Sequence, residues 1–153
     1  MKGKSLLFAY HVWEGGIALK KHYPFENAPL AYAYDALEPY IDEKTMQLHH
    51  ERHLKTYIDN LNSILKKYPQ FQTLTLEQLI HTTRQVPERD CIAIARNASG
   101  VYNHQFFFNG MCPDGKKAPS GALAVDINRR FGSLNAFREK FTEMALSVFG
   151  SGD

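Results

Sequence analysis

MQLHHERHLKTYIDNLN, residues 46–62, carries three histidines and a tyrosine in a run that contains neither glycine nor proline. Met46, His49 or His50, His53, Tyr57, Leu61 and, just beyond, Leu65 recur at steps of three and four. Such steps mark one buried face of an α-helix. Asp42 upstream is an N-cap candidate, Glu43 puts a carboxylate in the first turn where the helix dipole favours it, and Pro69 ends the run. The spacing predicts a helix from about residue 43 to 68, with His49, His53 and Tyr57 standing one above another and His50 pointing elsewhere.

On either side of that helix the chain is punctuated by prolines. YPFENAPLAYAYDALEP, 23–39, reads as an extended arm that buries Tyr32 and Tyr34. Thr75 to about Gln85 reads as a short helix bearing Leu76, Leu79 and Ile80, closed by Val86-Pro87. Asp90 opens a third helical segment, CIAIARNASGVYNHQFFFNGM, whose Ala93, Ala95, Ala98, Ser99 and Gly100 allow close approach to the first helix. The turn-rich CPDGKKAPSG, 112–121, is the best domain boundary, and two short amphipathic helices follow at about 122–131 and 134–149, the second capped by Ser133. The fold expected is all-α: a long antiparallel helical hairpin, then two short helices. The domains read as an N-terminal extension (1–22), a helical-hairpin metal-binding domain (23–112) and a further segment (113–153).

Composition narrows the function classes. At 153 residues, 44% hydrophobic and 22% charged, with ten Phe and eight Tyr, the chain has the material for an ordinary core. A net charge of +2 with no basic run argues against nucleic acid as a partner. The apolar stretch Leu6–Trp13 is interrupted by His11 and is too short to cross a bilayer, so residues 1–22 read as an extension rather than a targeting signal, and no membrane is expected. Cys91 and Cys112 form no CxxC pair, which suits two reduced thiols in the cytoplasm.

Imidazole is a common ligand for zinc, manganese and iron, and a histidine on each of two packed helices is a usual start to a bundle metal site. His104 is the lone histidine of the third segment, set in VYNHQFFF, where burying an imidazole without a partner is costly. On pattern alone a hydrogen-bonded core histidine is the commoner case, and spacing does not decide between it and a ligand. An HExxH motif is absent, so a zinc-dependent hydrolase is not favoured.

AYAYDALEPYID (31–42), MQLHHERHLKTYIDNLN (46–62), RNASGVYNHQFFF (96–108), FGSLNAFREKF (131–141) and FGSG (149–152), in that order, resemble the iron/manganese superoxide dismutases. The resemblance implies dismutation of superoxide to dioxygen and hydrogen peroxide at a mononuclear manganese or iron site, with a homodimer and an antioxidant role. It implies His49 and His104 as metal ligands, and His53 and Tyr57 as the catalytic pair that lines the access funnel and serves the proton network. Gly100 stands where iron-type members tend to carry a glutamine, which favours manganese or cambialistic use; Leu54 and Phe108 replace a frequent histidine and tryptophan. Two further ligands are implied, from a DxWEH-like motif, but no histidine follows His104, and Asp114, Asp126 and Asp153 lie in no matching context. The expectation is a truncated enzyme, with the last two helices beginning an α/β C-terminal domain, and with weak metal binding and little or no activity. A non-catalytic helical hairpin, retained for partner binding or dimerisation, is the alternative.

Overall fold

The first helix does not run unbroken. A computed structural model of the chain, which describes residues 21–81, 86–113, 115 and 118–148, divides it into α1 (Glu43–Gln47), a π-helical segment (Leu48–Leu54) and α2 (Lys55–Leu65). Asp42 caps α1, its carboxylate accepting from the Thr45 amide at 2.9 Å. The physical reason for the π turns lies in which residues are buried: Met46, His50, Leu54 and Ile58, then Leu61 and Leu65. Three consecutive steps of four drift by about 40° each on an ideal α-helix, about 120° in all. The wider winding of the π segment absorbs that drift and keeps the row facing the core. This corrects the expected buried face: His53 is exposed and Tyr57 only half-buried, because the core row passes through His50 and Leu54 instead.

α2 ends at Leu65, before Pro69, and Pro69–Phe71 forms a single 3₁₀ turn that buries Phe71. α3 (Leu76–His81) starts from a reciprocal cap: the Thr75 amide donates to Gln78 Oε1 at 2.9 Å and the Gln78 amide to Thr75 Oγ1 at 3.4 Å. The expected extension of this helix to Gln85 falls on residues outside the described ones. α4 (Glu88–Asn109) begins two residues earlier than Asp90. The Pro87 carbonyl takes the Asp90 and Cys91 amides, and a proline at the cap sacrifices no donor that the helix needs.

α2 and α4 form the two arms of the hairpin, with α3 against α4. Leu61, Leu65, Ile94, Ala98 and Val101 are sealed between them. The N-terminal arm is held at both ends of its contact with this core. Asn62 clamps the Phe25 backbone, accepting from its amide at 2.9 Å and donating to its carbonyl at 2.8 Å, so that Phe25 is buried. Tyr32 donates to the Phe108 carbonyl at 3.0 Å. The arm is less extended than its prolines suggested: residues 34–40 form consecutive turns, and Tyr32 and Tyr34 are half-buried, since each keeps its hydroxyl at a polar edge.

α5 (Gly121–Phe131) and α6 (Leu134–Ser147) meet at Phe131 and Phe137, and Phe141 lies against Phe137 one turn on in α6. Gly132 between them takes φ +81°, a left-handed conformation that suits glycine. Ser133 caps α6, accepting from the Ala136 amide at 3.1 Å. Among the described residues every regular element is a helix, with no strand, and no helix is long and apolar enough to cross a membrane. Residues 1–20 and the FGSG stretch lie outside the described residues.

Candidate metal centre

Histidines from both arms of the hairpin converge. His49 and His53 come from the π segment and His104 from α4, and one ligand nitrogen from each lies within 4.8 Å of the others. The three residues grade from buried to exposed: His104 is 2% exposed, His49 half-buried, His53 open to solvent. The His49 and His104 rings meet edge to face at 4.8 Å between centroids, and the His49 and His53 rings at 5.8 Å. Phe107 and Phe108 stand 5.3 and 5.1 Å from His49 and wall one side of the group.

The hydrogen bonding of His104 decides what its ring can do. Nδ1 lies 2.7 Å from the carbonyl oxygen of Gly100, one turn earlier in α4. A carbonyl can only accept, so Nδ1 carries the proton. Nε2 is buried and has no hydrogen-bond partner. A buried nitrogen lone pair left bare costs free energy, and the arrangement matches the usual way a protein orients a metal-binding imidazole, through a backbone carbonyl on the far nitrogen. The donors therefore fit a metal ion of intermediate softness.

Gly100 contributes a second feature. A β-carbon built there would lie 2.5 Å from Tyr57 Cδ1, 2.6 Å from Cγ and 2.7 Å from Cε1. The Tyr57 ring thus rests on the bare backbone of α4, with its centroid 5.3 Å from that of His104. The ring can come this close to the histidine only because residue 100 has no side chain.

His50, expected to point away, does so, but into the core rather than to solvent. Its Nε2 donates to the Ala28 carbonyl at 2.9 Å, and Nδ1 lies 2.9 Å from the Tyr34 hydroxyl, which is also 3.0 Å from Glu51 Oε1. Burial, with the Glu51 carboxylate beside it, pushes the Tyr34 phenol up to about 12. Asn27 adds a bond from Nδ2 to the His50 carbonyl at 3.1 Å. His50 thereby ties the N-terminal arm to the segment that carries His49. The sequence reading did not anticipate this anchoring role, nor the seat that Gly100 makes for Tyr57. A glycine inside an otherwise helical pattern, one turn before a histidine, is the signal that could have found the second.

The chain matches two family profiles: iron/manganese superoxide dismutases, alpha-hairpin domain, over residues 24–112, and the C-terminal domain of the same family over residues 119–152. It is 43% identical over 129 residues to superoxide dismutase (Mn) 1 of Leptolyngbya boryana, covering 84% of this chain and 52% of that protein. It is 41% identical over 130 residues to superoxide dismutase (Mn) of Thermus thermophilus, covering 85% of this chain and 64% of the relative. A third relative, superoxide dismutase (Mn) of Acinetobacter baylyi, is 43% identical over 129 residues, 84% of this chain and 55% of its own length. The chain thus spans between about half and two-thirds of the length of these curated relatives.

Proposed function

The chain belongs to the iron/manganese superoxide dismutase family, and from that membership we propose that its activity is the dismutation of superoxide to dioxygen and hydrogen peroxide at a manganese or iron ion, manganese being favoured. The observation that carries the proposal is the bare, buried Nε2 of His104, with its far nitrogen fixed on Gly100, facing His49 across the hairpin. His49 and His104 would hold the ion. When bound, the ion supplies reversible one-electron chemistry, which no side chain here provides.

The remaining work falls to the protein's own groups. The Gly100 carbonyl holds the Nδ1 proton of His104 and so directs Nε2 at the site. Phe107 and Phe108 keep water from one side of His49. His53, at the exposed edge, and Tyr57, tilted against His104, line the approach for the small anion. An imidazole can take or give a proton and a phenol can give one, so these two are the groups to relay the protons that peroxide formation consumes.

The same reading places the chain in the cytoplasm, supported by two free cysteines, Cys91 and the exposed Cys112. It treats residues 23–112 as the metal-binding unit and includes a homodimer, supported by large apolar side chains left exposed on α4, Phe106 at 71% among them. The test is direct. Manganese and iron content and superoxide dismutation are measured for the chain and for His49→Ala and His104→Ala. Loss of bound metal in both variants is expected; metal content untouched by both substitutions would refute the ligand assignment.

A further inference from the structure

Asn109-Gly110 closes α4, and it is the single asparagine–glycine step among the eight asparagines of the sequence. Glycine in second place matters chemically: with no β-carbon on residue 110, nothing crowds the approach of its backbone nitrogen to the asparagine side-chain carbonyl. Asn27, Asn62 and Asn97 each donate their side-chain amide to a backbone carbonyl. Asn109 stands exposed instead.

In the helical conformation the Gly110 nitrogen is engaged in hydrogen bonds, so the last turn must open before it can react. That turn is weakly closed. The Gly110 amide is shared between the Phe106 and Phe107 carbonyls at 3.0 and 3.1 Å, and the Met111 amide reaches the Phe108 carbonyl at 3.3 Å. Helix ends of this kind fray, and both Asn109 and Gly110 are exposed, so neither gives up core packing when the turn opens.

We propose that Asn109 is a site of spontaneous deamidation. The Gly110 nitrogen bonds to Asn109 Cγ and gives up its proton, the Cγ–Nδ2 bond breaks, and ammonia leaves, closing a succinimide ring. Water then opens the ring: cleavage at Cγ yields aspartate, and cleavage at the main-chain carbonyl yields isoaspartate, which lengthens the backbone by one carbon. Either product puts a carboxylate at the C-terminal end of α4, where the helix dipole disfavours it. Residue 109 directly follows Phe108, whose carbonyl receives the Tyr32 hydroxyl at 3.0 Å. The modification therefore loosens the end of α4 to which the N-terminal arm is tied.

The test incubates the chain and Asn109→Gln at mildly alkaline pH. Peptide mass spectrometry follows each asparagine, and an isoaspartyl methyltransferase counts isoaspartate. Conversion at Asn109 is expected to outpace that at Asn62, the asparagine before Ser63, by about tenfold or more, because Asn62 reacts only if α2 and its clamp on Phe25 open. Amide hydrogen exchange at Gly110 and Met111 is expected to quicken in the aged chain and to stay unchanged in aged Asn109→Gln, whose longer side chain closes a larger ring far more slowly. Conversion at Asn109 no faster than at Asn62 would overturn the site. Equal exchange in fresh and aged chain, or equal quickening in the glutamine variant, would overturn its effect on α4.

Discussion

Gly100→Ala adds one methyl group where the Tyr57 ring now sits. The new carbon would lie 2.5–2.7 Å from three ring atoms, against an ordinary carbon–carbon contact of about 3.5–4.0 Å, so the ring must retreat by about 1 Å. Rotation about the ring axis gives no relief, because Cγ, the root of the ring, is among the three. Overpacking of this kind costs about 1–3 kcal/mol, while alanine in mid-helix regains about 0.8–1 kcal/mol over glycine. The net expectation with Tyr57 present is destabilisation of about 0–2 kcal/mol. With Tyr57→Ala already made, the obstacle is gone and the same substitution should stabilise by about 0.8–1 kcal/mol. The sign reversal is the decisive quantity, and denaturant unfolding of the four species of a double-mutant cycle measures it as a coupling of about 1–3 kcal/mol. The displaced ring would also disturb its contact with His104, so the single variant should retain less manganese or iron than the parent. A coupling near zero, with Gly100→Ala stabilising in both backgrounds, would refute the claim that Tyr57 is seated on residue 100.

Two further perturbations probe what holds the site in place. Asn62→Ala strands the amide and carbonyl of Phe25 and should cost about 1–3 kcal/mol, with hydrogen exchange at the Phe25 amide rising while amides in mid-α4 stay protected; unchanged exchange at Phe25 would show that the clamp is not what docks the arm. The Asp42 carboxyl is held below its ordinary value by its bonds to the Thr45 hydroxyl and amide, so the folded state binds its proton less readily than the unfolded chain. Its contribution is therefore present above the ordinary carboxylate range and lost as the pH falls through the depressed folded value. Asp42→Ser, a cap with no titrating proton, should flatten the acid limb of a thermal stability profile, and an unchanged limb would remove Asp42 from the account.

The features legible in the sequence were those that a few neighbouring residues determine. Caps at Asp42 and Ser133, the breaks near Pro69 and Pro87, and the helical periods that make an all-α hairpin depend on local hydrogen bonding and on which φ angles a residue allows. The histidine ladder was legible to the same extent. Spacing puts His49, His53 and Tyr57 on one side of a helix, but it cannot say which neighbouring row meets the core. That was decided by the π segment, which exists because Met46, His50, Leu54 and Ile58 must all face α4 and the N-terminal arm at once.

From the sequence alone, then, come the hairpin, the identity of the histidines and the family to which they belong. Tertiary structure decided that His104 presents a bare nitrogen, that His50 is an anchor rather than a bystander, that Gly100 makes room for Tyr57, and that His53 stands at the exposed edge of the histidine group. Each of these depends on what lies across a helix interface a few ångströms away, and such distances are set by packing between segments that are remote in sequence.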